Sequence, residues 1–151
     1  MAETRVSRTT LEIEPPAAAT TVLIVDDDQA ILDGVGEFLR EEGFVVVTAA
    51  NGAEALAHLR AGLNADVILL DLMMPIIDGW DFRAEQLADP SLQDIPVVAI
   101  SASGFARSTI GVQLKAYDVF AKPIELSRLV ETLRDICAVR ESGRGSSNIG
   151  A

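Results

Sequence analysis

Residues 22–32 read VLIVDDDQAIL, and residues 67–82 read VILLDLMMPIIDGWDF. Each stretch begins with four apolar residues, a composition typical of a strand that is buried on both faces of a parallel sheet. Carboxylates follow at once, at 26–28 in the first stretch and at 71 in the second. The pattern of an apolar run followed by a polar side chain returns in VVAISA, residues 97–102, and in VFAKPI, residues 119–124. The four stretches predict parallel strands with polar groups at their carboxyl ends.

Further strand and helix patterns complete an alternating β-α order. Strands are predicted at 21–25, 44–48, 66–70, 95–100 and 117–121, and the intervening segments have apolar residues at helical spacing. The second, third and fourth helices are predicted at 53–62, about 80–88 and about 104–115, and Gly43 is expected to end the first helix. Because parallel strands are joined by right-handed crossovers, the expected fold is an open, doubly wound α/β domain. Such folds bind ligands at the carboxyl ends of their strands.

The chain ends have a different composition from the middle. Residues 1–20 carry scattered charges, two prolines and an alanine run, which predicts a disordered N-terminal extension. Residues 141–151 are rich in Gly and Ser and are expected to form a flexible C-terminal tail. One folded domain is therefore expected at 21–140, with no room after it for a second domain.

Composition narrows the possible functions. The 151 residues include 12 basic and 23 acidic ones, for a net charge of −11, so the surface field repels nucleic acid and anionic lipid. No apolar run has the roughly 18 residues that would span a bilayer. The single cysteine, Cys137, fits a reducing compartment. We therefore expect a cytoplasmic protein that binds neither nucleic acid nor membrane.

Acidic side chains are predicted to meet at one edge of the sheet. Asp26 and Asp27 follow strand 1 and Asp71 follows strand 3, and these two strands are expected to be neighbours. Carboxylates held close together repel one another unless a cation lies between them. Oxygen ligands of this kind suit Mg²⁺. The alternative is that the acidic residues are solvated and that Asp28 only caps the first helix.

The same edge supplies a hydroxyl and an ammonium group. Ser101 follows strand 4 and Lys122 follows strand 5. Either residue alone would be read as a turn residue or a solvated charge. Together with an aspartate nucleophile and a metal, they are the parts needed to receive a phosphoryl group. No Gly-rich nucleotide loop is present, which argues against ATP bound by this chain as the donor.

The quoted motifs, in this order and across about 120 of the 151 residues, resemble the response-regulator receiver domain of two-component signalling, in the CheY-like superfamily. The resemblance implies a flavodoxin-like fold with five helices and strand order 2-1-3-4-5. It also implies Asp71 as the phosphoacceptor and contacts from Ser101 and Lys122 to the phosphoryl group, with a cis Lys122-Pro123 bond. The implied ligands of Mg²⁺ are Asp26, Asp27, Asp71 and the Met73 carbonyl.

Two positions depart from the family pattern. The family usually has an aromatic residue three positions before the lysine, and its movement accompanies that of the Ser101 position; here Val119 occupies the place. The family often has Gly where helix 4 ends, and here the position is Lys115, which has to tolerate that cap geometry or lengthen the turn.

The resemblance implies a signalling domain rather than an enzyme. It would accept a phosphoryl group from a sensor histidine kinase or a histidine phosphotransfer protein, lose it slowly to water, and regulate a downstream protein through its helix 4, strand 5 and helix 5 surface. It would be a single-domain regulator or a fragment of a longer protein. The alternatives are a receiver-like interaction module that is never phosphorylated, and a haloacid-dehalogenase-type phosphatase using Asp26 and Asp28.

Overall fold

The structure is a computed structural model that describes residues 19–74, 78–101 and 107–150. Five strands alternate with five helices within these ranges. In chain order the elements are β1 (Thr21–Val25), α1 (Gln29–Glu41), β2 (Val45–Ala49), α2 (Gly52–Arg60), β3 (Val67–Asp71), α3 (Gly79–Ala88), β4 (Val97–Ser101), α4 (Arg107–Leu114), β5 (Asp118–Ala121) and α5 (Leu126–Gly150).

The strands form one parallel sheet in the order β2-β1-β3-β4-β5. This arrangement confirms the predicted flavodoxin-like fold. The chain first adds β2 on one side of β1 and then continues on the other side, so the strand order reverses between β1 and β3. The carboxyl ends of these two strands border the crevice at which such folds bind ligands.

Two apolar layers cover the sheet. Side chains alternate along each strand, so Leu23 and Val25 face one layer while Val22 and Ile24 face the other. Buried residues of α2, α3 and α4 complete the first layer, and those of α1 and α5 complete the second. The sheet is therefore buried on both faces, which explains why its strands are continuous apolar runs.

Four of the five strands begin one or two residues later than predicted. The hydrogen-bonded ladder, rather than the apolar run, sets the limits of a strand, and it includes Asp71 opposite Ile100 and Ser101 opposite Ala121. At the other end, Pro96 precedes β4 and has no N–H to donate to a ladder. The two polar side chains are thus fixed by the sheet itself.

Helix ends follow the local chemistry. Gly43 follows the C-cap residue Glu42 of α1 and has φ +99°, which confirms its predicted role. The second helix ends at Arg60, two residues before the prediction, and Gly62 follows with φ +112°. Lys115 takes φ +56° after α4, so the lysine does tolerate the left-handed geometry that the family often gives to glycine. The predicted start of the fourth helix at about 104 lies outside the described residues.

The structure describes only part of the two terminal segments that the sequence predicts to be disordered or flexible. The predicted N-terminal extension lies outside the described residues except for 19 and 20. The α5 backbone is helical as far as Gly150, through the segment predicted as a flexible tail. The sequence had separated 141–151 from the last helix by composition, and a Gly- and Ser-rich stretch has weak helix propensity of its own. The domain limits 21–140 stay predictions. Among the described residues, no helix is long and apolar enough to cross a membrane.

Candidate functional site

Five side chains named from the sequence come from the carboxyl ends of four neighbouring strands. Asp71 and Ser101 are the last residues of β3 and β4. Asp26 and Asp27 follow β1, and Lys122 follows β5. The sheet order places β1, β3, β4 and β5 side by side, so the polar groups collect at one edge.

The three carboxylates meet there. One oxygen from each of Asp26, Asp27 and Asp71 lies within 4.8 Å of the others. Asp26 is fully buried and Asp71 is 2% exposed, whereas Asp27 is exposed. The predicted acidic cluster is therefore present and consists of two buried carboxylates and one exposed carboxylate.

Lys122 supplies the cation that faces this cluster. Its Nζ lies 3.1 Å from Oδ2 of Asp26 and 3.6 Å from Oδ2 of Asp71. Burial by itself lowers the pKa of Lys122, but the contacts with Asp26 and Asp71 outweigh it and raise the pKa above its usual value. The side chain is therefore an ammonium at neutral pH.

The surroundings of Asp71 change the pKa of its carboxyl group. Burial first and the nearby Asp26 charge second raise the pKa of Asp71 to about 6, against a smaller opposing effect of the Met73 N–H and Lys122. The Met73 N–H donates to Oδ1 of Asp71 at 3.3 Å. The Met73 N–H thus helps to orient Asp71, and the raised pKa means that the metal-free carboxyl group binds a proton more tightly than a solvated aspartate does.

The two oxygens of Asp26 have separate environments. Oδ1 accepts the N–H of Asp28 at 2.8 Å. Oδ2 is buried and receives no hydrogen bond of good geometry, although Lys122 Nζ is near. A buried carboxylate oxygen without a hydrogen bond, beside two other carboxylates, fits a divalent cation with oxygen ligands. The residues present therefore suit Mg²⁺.

Asp28 belongs to α1 rather than to the cluster. Its Oδ1 accepts the N–H of Ala30 at 3.0 Å, which makes it the N-cap of the helix. The phosphatase alternative needed Asp26 and Asp28 to act as a pair on one substrate. Their side chains instead serve the acidic cluster and the helix end, so the structure gives that alternative no support.

Sequence reasoning missed one close contact beneath the site. Asp78 caps α3 by accepting the N–H of Asp81 at 2.9 Å, and Gly79 begins the helix. A Cβ atom on Gly79 would lie 2.6 Å from the main-chain oxygen of Asp71 and 2.7 Å from Cα of Leu72. The Asp-Gly pair is visible in the sequence, but the sequence does not show which backbone lies against the glycine. Its glycine lets α3 lie directly against the end of β3.

The β5 region contains the remaining predicted positions. The Lys122-Pro123 bond is cis, as expected. The Lys122 N–H donates to the main-chain oxygen of Ser101 at 3.1 Å, which fixes the two residues beside each other. Val119 is buried against the layer that contains α4, while Phe120 points to the opposite layer. No aromatic side chain therefore faces α4 from the position at which the family usually has one.

Comparisons with known proteins agree with this geometry. Residues 22–134 match the family described as "Response regulator receiver domain". The "Sensory transduction protein RegX3" of Mycolicibacterium smegmatis is 34% identical over 127 residues, which are 83% of this chain and 53% of that protein. The "Response regulator Rre1" of a Synechocystis strain is 32% identical over 128 residues, 83% of this chain and 54% of that protein. The chain spans about half the length of the curated relatives it matches.

Solved structures give the same result. The chemotaxis protein CheY4 of Vibrio cholerae superposes with a TM-score of 0.72 at 29% identity, covering 79% of this chain and 99% of that one. A putative response regulator from Chloroflexus aurantiacus gives a TM-score of 0.73 at 33% identity, covering 80% and 98%.

The general role follows from these matches. Receiver domains act in phosphotransfer signalling within two-component systems, generally bind Mg²⁺ at an acidic pocket, and are signalling domains rather than classical enzymes. With the matching strand order, the acidic cluster and the family match over residues 22–134, the chain belongs to the response regulator receiver domain family.

Proposed function

We propose that this chain receives a phosphoryl group on Asp71 and uses it to change the surface that a partner protein recognises. The observation that carries the proposal is the grouping of a buried carboxylate, Asp71, with an ammonium group and two more carboxylates at one sheet edge. A nucleophile, a fixed cation and ligands for a metal are the elements that phosphoryl transfer requires.

Asp71 is the nucleophile in this proposal because of its position and surroundings. An oxygen of its carboxylate attacks phosphorus on a phosphohistidine of the donor, and the P–N bond breaks as the new P–O bond forms. The leaving histidine nitrogen takes up a proton from solvent. The product is an acyl phosphate on Asp71. The Met73 N–H holds one carboxylate oxygen in place during the attack.

Charge neutralisation is shared between Lys122 and a metal. An anionic carboxylate and an anionic phosphoryl group repel each other, and Lys122 offers a positive charge 3.6 Å from Asp71. Asp26, Asp27, Asp71 and the Met73 carbonyl are proposed to hold Mg²⁺, which would neutralise charge on the phosphoryl oxygens. The buried Asp26 oxygen without a hydrogen bond supports this assignment.

Ser101 and Val119 are proposed as the switch positions. The Ser101 hydroxyl can donate to a phosphoryl oxygen and so draw the end of β4 toward the site. Val119 is branched at Cβ and restricted in χ1, so the change in the α4, β5 and α5 surface is proposed to come from backbone movement rather than ring rotation. This backbone movement is expected at residues 102–106, which lie outside the described residues.

The partners follow from the chemistry. The donor is proposed to be a sensor histidine kinase or a histidine phosphotransfer protein, and the target is a protein that reads the α4, β5 and α5 surface. The net charge of −11 supports a chain that does not itself bind nucleic acid. The lone cysteine supports a cytoplasmic location.

The test is phosphorylation of the whole chain by acetyl phosphate with Mg²⁺, followed by intact-mass measurement and peptide mapping. The expected result is a single phosphoryl group on Asp71. It should not form when EDTA is present during the reaction, and once formed it should be released slowly as inorganic phosphate. Asp71→Asn should accept none, whereas Asp78→Asn, a matched change at the nearby helix cap, should be labelled as the natural chain is. Labelling at Asp26 would support the phosphatase alternative, and no labelling at all would support the unphosphorylated interaction module.

A further inference from the structure

Arg83 is a charged side chain buried inside the protein. It lies on α3 and is only 5% exposed. Its Nε donates to the main-chain oxygen of Leu114 at 3.0 Å, and its Nη2 donates to that of Lys115 at 2.8 Å. Its Nη1 donates to Oε1 of Gln86 at 2.7 Å. Among the described residues no carboxylate forms an ion pair with it, so carbonyl oxygens alone compensate its charge.

The two main-chain oxygens belong to the C-terminal end of α4. The last carbonyls of a helix have no partner within the helix and carry the negative end of its dipole. Lys115, in the left-handed region with φ +56°, ends this helix, and the Ala116 N–H returns to the oxygen of Gly111 at 3.1 Å. A side chain other than glycine is strained in this region. The guanidinium group of Arg83 donates to two carbonyl oxygens at this strained helix end.

Gln86 fixes the orientation of Arg83 and joins it to a second element. It is fully buried, and its Nε2 donates to the main-chain oxygens of Leu92 and Ile95, each at 2.9 Å. These oxygens lie in the connection between α3 and β4. The polar pair Arg83 and Gln86 therefore ties α3 both to the connection that precedes β4 and to the end of α4.

The helix that carries Arg83 also touches the acidic site. Gly79 lies four residues before Arg83, which places both residues on the same face of α3. Gly79 packs on the main chain of Asp71, and its N–H donates to the oxygen of Leu72 at 3.2 Å. One turn of α3 thus connects the backbone beside Asp71 with the C-terminal end of α4.

We propose that Arg83 is a positioning residue that holds the C-terminal end of α4 and the turn into β5 at a fixed place relative to α3. Resting on the proposed function, this means that α4 responds to phosphorylation by moving about an anchored C-terminal end. Val112 and Tyr117, which are 77% and 48% exposed, lie on either side of that end. The anchor sets their position in the surface that a partner would contact.

The test separates anchoring from simple stabilisation by pairing two substitutions in the full chain. Arg83→Met removes the anchor. Lys115→Gly removes the backbone strain at φ +56°, so the doubly substituted protein is expected to remain folded. Arg83→Lys keeps the charge but loses the forked pair of donors. Amide exchange without metal is measured for residues 111–117. The expected result is exchange about tenfold faster in Arg83→Met/Lys115→Gly than in Lys115→Gly, with Arg83→Lys between the natural chain and Arg83→Met.

The response to beryllofluoride and Mg²⁺, which imitate the phosphoryl group, is then followed by amide NMR. In Lys115→Gly the shifts are expected to decrease along α4 toward Ala116 and Tyr117, whereas in the double variant these two amides should shift at least about twofold more. Labelling of Asp71 by acetyl phosphate should be the same in both. Equal exchange rates in the two proteins, or faster exchange with an unchanged shift pattern, would overturn the anchor. A natural chain without any response in α4 would instead overturn the proposed output, and the exchange rates alone would then decide for or against the anchor.

Discussion

Lys122 lies closer to Asp26 than to Asp71, the proposed phosphoacceptor: its Nζ is 3.1 Å from an oxygen of the first and 3.6 Å from an oxygen of the second. Asp26 is therefore the main partner of the ammonium before any phosphoryl group arrives. The lysine holds two buried carboxylates together in the absence of metal, and a phosphoryl group on Asp71 would compete with Asp26 for it.

The first prediction concerns the removal of this cation. Lys122→Met should destabilise the metal-free protein by about 1–3 kcal/mol at neutral pH, because two buried carboxylates lose their compensating charge. Mg²⁺ should recover much of the loss by taking over that role. Urea unfolding with EDTA and with Mg²⁺ measures both effects, and Arg134→Met, which removes an exposed cation, serves as control. A loss of the same size in the two variants would contradict the proposed role of Lys122.

A second prediction follows from the pKa of Asp71. Because the folded-state pKa is raised to about 6 from 3.8, the folded protein holds this proton more tightly than the unfolded chain does. Without metal, the contribution of Asp71 to stability should fall as pH rises between about 4 and about 6, by on the order of 1–3 kcal/mol. The asparagine of Asp71→Asn does not titrate. The free energy of unfolding of this variant should therefore increase relative to that of the natural chain across the same pH range. Thermal unfolding in EDTA at several pH values checks this, and a constant difference would refute it.

The third prediction compares two neighbouring carboxylates. Asp27→Asn should weaken Mg²⁺ binding by about tenfold or more, since it removes a charged ligand worth upward of about 1.4 kcal/mol. Asp28→Asn removes the same charge but keeps an N-cap for α1, so it should change the affinity far less. Calorimetric titration with Mg²⁺ measures both. Equal losses would mean that the acidic pair is Asp27 and Asp28 rather than Asp26 and Asp27.

The fourth prediction concerns the contact beneath the site. Gly79→Ala should destabilise the protein by about 1–3 kcal/mol, because the added methyl group meets backbone atoms of Asp71 and Leu72 that cannot move aside cheaply. Gly34→Ala is a matched control in α1, where an added Cβ meets nothing within 4 Å, and it should stabilise by about 0.5–1 kcal/mol. Chemical denaturation of the two variants gives the comparison. A neutral Gly79→Ala would show that α3 can shift away from β3 without cost.

Much of the fold could be predicted because apolar runs and turn residues act locally. The sheet order itself came from the resemblance rather than from these patterns. The strand limits could not be placed to the residue, because Asp71 and Ser101 are polar side chains that nevertheless belong to the hydrogen-bonded ladder. A prediction from hydropathy places the end of a strand before the first polar residue. In the structure, the strand ends at the last residue that is paired with a neighbouring strand.

The acidic cluster could be predicted because its members follow apolar strands directly. The buried pair on α3 could not, because Arg83 and Gln86 look like exposed polar residues of a surface helix. Their spacing from Gly79 and Phe82, at 79, 82, 83 and 86, places them on the inward face. The sequence did show two polar residues at inward positions of the helix. Their burial is explained only by hydrogen bonds to main-chain oxygens of other elements, which the sequence does not reveal.

The two oxygens of Asp26 have different partners, which limits the substitutions that this position can accept. Its Oδ1 shapes the turn into α1, while its Oδ2 faces the ammonium of Lys122. Asparagine could keep the first contact only by presenting an NH₂ group to that ammonium, two donors without an acceptor between them. Glutamate would move both oxygens outward by one methylene group from a position at which the natural side chain has no exposed surface. The local turn and the proposed metal site therefore share one side chain, and replacement by asparagine or glutamate is expected to affect both.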